Sequence, residues 1–207
     1  DTNGLTRMVT EVSAELLSKV SDIPGDQWDA LNPRGNPFVS HAFLSALEAS
    51  GSVGAGTGWS PAPVLMRGAD GVPAAALPAY LKTHSQGEYV FDHHWADAFE
   101  RAGGQYYPKL QIAAPFSPVP GPRLLLRDPS LALPILRAAE AVVDQNGLSS
   151  AHATFVEEAE LDPVRTTSLG TLGIGRVQGD HLEQPAHGSI MGRGNKPPAP
   201  TRPDNRR

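Results

Sequence analysis

The chain has 207 residues, 40% of them hydrophobic, and a net charge of −5 with no block of like charges. That is enough apolar material for a real core, and it leaves no basic footprint for nucleic acid or an anionic membrane surface, so DNA is excluded as an expected partner. The absence of cysteine removes disulfides and thiolate metal sites; with no signal-peptide core near the N-terminus and no apolar run of membrane-spanning length, a cytoplasmic protein without a membrane span is expected.

In chain order, Met8–Val12 alternates as a short strand, and residues 18–31, with Trp28, read as a short helix entered through Pro24. Asn36 and Pro37 are a cap and a first helical residue, and Phe38, Val39, Ala42, Phe43, Ala46 and Leu47 recur at helical spacing as one buried face ending at Gly51. Ser40, His41 and Glu48 fall off that face. Gly51–Gly58 leads into a strand at Val64–Arg67 instead of a helix, so it is a linker and not a phosphate cradle. Asp70-Gly71 turns the chain into a second strand, Ala74–Leu81, in which Pro78 implies an edge or a bulge.

Glu88–Phe91 has strand character, and Asp92 can cap a helix carrying Trp95, Ala98, Phe99 and Ala102 up to Gly103-Gly104. Lys109–Ala113 reads as a strand with Leu110 and Ile112 on one face. Four prolines between Pro115 and Pro122 force an irregular passage before a strand at Arg123–Arg127. Asp128-Pro129 opens a helix kinked or delayed by Pro134 and closed by Asn146-Gly147; a strand at Ala151–Phe155 and a short acidic helix from Glu157 to Arg165 follow. This order predicts a mixed α/β (α+β) domain with a largely antiparallel sheet flanked by helices. Residues 1–168 are expected to form that domain. Residues 169–207 hold no aromatic residue and no period, which predicts a disordered tail; Gly170, Gly173 and Gly175 have dinucleotide-fingerprint spacing with no helix pattern behind them.

Chemistry concentrates between Tyr80 and Leu126, which holds all four tyrosines and three of the seven histidines. Asp92, His93 and His94 could supply a general base or metal ligands, with His84 as a further ligand, though neighbouring side chains diverge and a helix cap with a half-exposed pair explains them better. Lys82, Lys109 and Arg123 stand near strand ends, where they either converge on an anion or guard sheet edges. Tyr80, Tyr89, Tyr106 and Tyr107 read as packing, with one hydroxyl turned to a cleft.

The run His84 to Asp92, with Trp95-Ala96-Asp97, Tyr106-Tyr107-Pro108-Lys109 and Pro115 to Arg123, resembles the FemAB-like family of the GNAT acyltransferase superfamily; Asn36-Pro37-Phe38 to Glu48 fits the same family. The resemblance spans about residues 8–165. It implies the first of two GNAT-like repeats and transfer of an acyl or aminoacyl group to an amine, with a peptidoglycan precursor as acceptor and acyl-CoA or aminoacyl-tRNA as donor. It also implies substrate binding by Lys109, Arg123, Tyr106 or Tyr107, with Lys82 beside them, and His93 or Asp92 as the catalytic base. No metal and no cofactor held by this chain are implied. The pattern of the second repeat does not follow residue 165, so the chain is expected to be the N-terminal half of such a transferase, inactive alone and able to self-associate through an uncovered sheet face. A non-catalytic binding domain of the same fold and a metal-dependent hydrolase are the alternatives.

Overall fold

The structure, a computed structural model, describes residues 13–84, 86–87, 93–167 and 170–172, with the backbone alone at 13, 93–95 and 170–172. The elements are β1 (Ser13–Leu16), α1 (Gly25–Asp29), α2 (His41–Ala49), β2 (Trp59–Pro61), β3 (Val64–Arg67), β4 (Pro73–Leu77), β5 (Ala79–Lys82), α3 (His93–Arg101), β6 (Lys109–Ile112), β7 (Leu125–Leu126), α4 (Ala132–Gln145), β8 (Ala151–Thr154), α5 (Leu161–Arg165) and β9 (Gly170–Leu172). This is the mixed, largely antiparallel α/β domain that the sequence predicts, but its strands form two sheets. One has the order β1-β3-β4-β7 and is antiparallel throughout; the other has the order β2-β5-β6-β8-β9, with parallel pairs only at β6-β8 and β8-β9.

Prolines make the division. β2 and β3 run into one another through Ala62-Pro63, and β4 and β5 through Pro78, so the four are one long hairpin bent across both sheets. A proline has no N–H for a ladder and its ring fixes φ, which is why the pairing breaks there. Pro78 is therefore a bend with strands on both sides and not an edge: its carbonyl accepts the Ala113 N–H at 3.0 Å, and the Ala79 carbonyl accepts the Ala62 N–H at 2.8 Å. The hairpin turns at Gly68–Val72, where the Asp70 carboxylate accepts the Val72 N–H at 3.0 Å.

β6 and β7 also follow one strand line, since Ile112 faces Ala79 and Leu125 faces Ala76 along the same long strand. Between them residues 114–124 leave the line, pass over the end of β8 and return. Gly121 bridges Val156 in parallel fashion and donates its N–H to the Phe155 carbonyl at 3.1 Å.

The four-stranded sheet is apolar on both faces. Val64, Met66, Ala75 and Leu77 join Ile135, Leu136 and Ala139 of α4, while Leu65, Ala76 and Leu125 join Trp28 and Leu31, Val39 and Leu44. The Trp28 indole N–H donates to the Val39 carbonyl at 2.9 Å, so this large side chain is buried with its polar atom satisfied. α4 also covers one face of the five-stranded sheet, meeting Leu110, Ile112, Ala151 and Ala153. Pro134 falls in the first turn of α4, where a missing N–H costs nothing, so it neither kinks nor delays the helix.

Two helices differ from expectation. Residues 18–31 give only a 3-10 turn at Val20–Asp22 and the short α1. The segment 37–50 is two pieces: a 3-10 turn, Pro37–Val39, capped by Asn36, and α2, capped by Ser40, whose backbone is extended at ψ 150°. That break resets the helical phase. Ala42 and Ala46 are exposed, and Leu44, absent from the predicted stripe, is the buried residue of α2. Likewise Ala98 and Ala102 are exposed, and Ala96 is the buried alanine of α3.

At the end of the described chain, Gly170–Leu172 pairs in parallel with β8, with Gly170 opposite His152. The sheet thus runs past the boundary expected at residue 168, because alternate backbone pairing needs no aromatic side chain. The strands expected at 8–12 and 88–91, and the tail from residue 173, lie outside the described residues.

Candidate functional site

The second face of the five-stranded sheet differs in kind from the other three. Strand alternation sends Ala79 and Leu81, Leu110 and Ile112, and Ala151 and Ala153 to the α4 side, so Tyr80 and Lys82, Lys109 and Gln111, and His152 and Thr154 share the opposite face. Register sets them in rows. Trp59, Lys82 and Lys109 lie side by side on β2, β5 and β6; the next row is Pro61, Tyr80, Gln111 and His152, ending at Gly170.

This polar face is buried. Lys82, Lys109 and Gln111 are 0% exposed and Tyr80 is 1% exposed. The two lysines are direct cross-strand partners, a placement that brings like charges to about 5 Å at Cβ and is unfavourable without compensation. Aromatic faces supply part of it: the Lys82 ammonium lies 4.4 Å from the Trp59 ring centroid, and the Lys109 ammonium lies 4.9 and 5.1 Å from those of Tyr106 and Tyr107. Trp59 is held in turn by Tyr80 and Phe116, with centroids at 5.8 and 5.4 Å, and its indole N–H donates to the Gln86 carbonyl at 2.8 Å. Tyr106 and Tyr107 meet edge to face at 5.0 Å and are half-buried.

Three buried polar atoms on or beside this face make no hydrogen bond among the described residues: the Tyr80 hydroxyl, Gln111 Oε1 and His84 Nδ1. Such groups are costly unless something pairs with them. Gln111 is oriented, because its amide Nε2 donates to Thr154 Oγ1 at 3.2 Å and Oε1 is left as the acceptor. Burial, with the Glu48 charge as a smaller cause, pushes the Tyr80 phenol well above the usual range, so it stays a donor. His84 packs against Gly58, where φ is +75° and an added Cβ would fall 1.9 Å from its ring nitrogen. At the half-exposed rim Ser150 Oγ lies 2.8 Å from His152 Nε2.

The structure brings Lys82, Lys109, Tyr106 and Tyr107 together and sets Arg123 apart. Arg123 is 1% exposed; its guanidinium donates to the carbonyls of Thr154, Val119 and Pro122 at 2.8, 2.9 and 3.1 Å. Thr154 is four residues beyond Ser150, whose carbonyl accepts the Leu110 N–H; at about 3.3 Å per residue this is roughly 13 Å along the strand. The backbone N–H groups of Arg123 and Leu124 donate to the Glu160 carboxylate at 2.8–3.0 Å. Burial lowers the Arg123 pKa to about 10, against the opposing charges of Glu160 and Glu157, and burial raises that of Glu160 despite its backbone donors. Arg123 is thus a strap that ties residues 114–124 to β8, and the expectation that it shares a cleft with Lys109 is corrected. Gly121 belongs to the same strap, since a Cβ there would come 2.5 Å from the Asn36 side-chain nitrogen.

Edge protection does not explain the lysines either, because β5 and β6 are interior strands. Asp92 and the side chains of His93 and His94 lie outside the described residues, although the α3 backbone begins at His93. Among the described residues no three His, Asp or Glu side chains gather where a metal could be held, and no helix is long and apolar enough to cross a membrane. Trp59, Gln111 and His152 were missed from sequence. Their signal was the alternation of polar with apolar residues on β6 and β8, which reads as a sheet with one wet face.

The domain is thus of the α/β class, with a buried, lysine-bearing and aromatic-lined sheet face. The chain belongs to the FemAB-like family, described as peptidoglycan biosynthesis/recognition: residues 19–174 match it, three quarters of the chain. No curated protein and no solved structure matches the chain.

Proposed function

We propose that this chain is the acceptor-binding part of a cell-wall-related transferase that passes an acyl or aminoacyl group to an amine of a peptidoglycan precursor. The paired lysines carry the reading. Two ammonium groups held side by side on interior strands, each backed by an aromatic face, attract a phosphate or carboxylate far more strongly than exposed lysines would, since water screens them less. Tyr106 and Tyr107 at the rim give the ligand's uncharged part a surface.

In the reaction the acceptor amine loses a proton and its lone pair attacks the donor carbonyl. The new bond is an amide, and a thiol leaves if the donor is acyl-CoA, or a ribose hydroxyl if it is aminoacyl-tRNA. Asp92 or His93 is the base in this reading. The chain acts as the first of two GNAT-like repeats, in the cytoplasm, and leaves the donor to the second.

Calorimetric titration with inorganic phosphate and with a phosphate-bearing peptidoglycan precursor tests it. Lys82→Met and Lys109→Met should each weaken both ligands at least tenfold, the loss of about 1.4 kcal/mol typical of a charge-assisted contact. Unchanged affinity in both variants would remove the reading. A second reading, recognition without transfer, is favoured by the family's description, which covers recognition as well as biosynthesis; turnover with a donor present separates the two.

A further inference from the structure

Tyr80 and Gln111 face one another across β5 and β6, one row along from the lysine pair. Both are buried, at 1% and 0% exposure, and each keeps one polar atom that finds no hydrogen bond among the described residues. Those atoms are opposite in kind. A phenol hydroxyl that cannot ionise donates, and Gln111 Oε1 accepts because its Nε2 is already used on Thr154. A donor and an acceptor opposite each other are what a secondary amide needs, with its C=O to the phenol and its N–H to the glutamine oxygen.

We infer that Tyr80 and Gln111 form an amide-reading subsite beside the lysine pair, and that the ligand of this face is an acylated amino acid or peptide whose anionic group lies about one row from an amide. Residues two apart on a strand are separated by roughly 6.6–6.8 Å, close to the distance from a peptide's terminal carboxylate to the second amide before it. The lysines take the anion and the second row reads the backbone behind it. This rests on the anion reading of the lysines, and adds to it a peptide-like ligand with a stated spacing. Trp59, packed on Tyr80 and backed by Phe116, holds the phenol in place.

The test compares two probes by calorimetry or by chemical-shift titration: inorganic phosphate, and an N-acetylated dipeptide with a free carboxylate. Tyr80→Phe removes the hydroxyl, and Gln111→Met removes Oε1 together with the Nε2 that bonds Thr154, both with little change of shape. Each should weaken the dipeptide about five- to tenfold, one net hydrogen bond, and leave phosphate binding within error; the C-terminally amidated dipeptide should bind worse than the acid. Dipeptide affinity untouched by both variants, with binding still dependent on Lys82 and Lys109, would overturn the subsite and spare the anion reading. Dipeptide binding that falls in the Tyr80 and Gln111 variants but ignores the lysines would keep the subsite and overturn the anion reading. Absence of binding by either probe would overturn both.

Discussion

The two sheets are built from the same chain passes yet treat polarity differently. In the four-stranded sheet the long hairpin shows Val64, Leu65, Met66, Ala75, Ala76 and Leu77, all buried and apolar on either face. A few residues on, past Pro63 and Pro78, the same strands bury Tyr80, Lys82, Lys109 and Gln111. Burying an amine or an amide costs several kcal/mol unless it is paired, whereas burying a leucine stabilises by about 2 kcal/mol. One sheet is thus the stabilising half of the domain, and on the polar face of the other the Tyr80 hydroxyl and Gln111 Oε1, with no hydrogen bond among the described residues, are retained at the expense of stability.

The contrast can be broken first at the junction. Arg123→Ala should cost about 3–5 kcal/mol, because three backbone carbonyls lose their charged donor, and Arg123→Lys should not restore it, since an ammonium cannot reproduce the planar fork. Denaturant unfolding reads both; a loss under 1 kcal/mol would mean that the strap does not hold residues 114–124. Within the apolar sheet, Leu77→Ala should cost about 2–5 kcal/mol as a buried large-to-small change. Across the bend, Tyr80→Phe should change stability by less than about 1 kcal/mol, in either direction, although the residue is equally buried, because the lost hydroxyl has no partner among the described residues. A cost for Tyr80→Phe as large as that for Leu77→Ala would erase the difference between the sheets.

Much of the fold could be read from the residues alone. β3 has the bounds expected of it, β6, β8 and α4 fall where periodicity sets them, and the Asp70-Gly71 turn is present, because each is a local pattern of side chains with one environment per face. The partition into two sheets was not legible. A proline in a strand reads as an edge, and only the long-range partners of Pro78 reveal a bend. Ser40 hid a phase reset, so the stripe counted from Phe38 missed Leu44. The site was half legible: Lys82, Lys109, Tyr106 and Tyr107 stood out by chemistry, while Gln111 and His152 looked like the solvent side of amphipathic strands. Alternation reports that two faces differ, not that the polar one is wet, and Arg123 looked like a ligand-binding arginine because its partners are backbone carbonyls, which no residue type announces.

The interrupted strand line of β6 and β7 has a consequence for how this domain could have been assembled. Ile112 faces Ala79 and Leu125 faces Ala76, so removing about ten residues would join the two strands in register with the long hairpin left as it is. The excursion is therefore topologically an insert: it can be lengthened, shortened or exchanged without rethreading either sheet. What fixes its present form is its stitching to β8, through Gly121, Arg123 and Glu160. A swapped insert would need to bring its own equivalent of those three contacts and, because Phe116 lies within the present one and packs on Trp59, a replacement for the ring that backs the indole over Lys82.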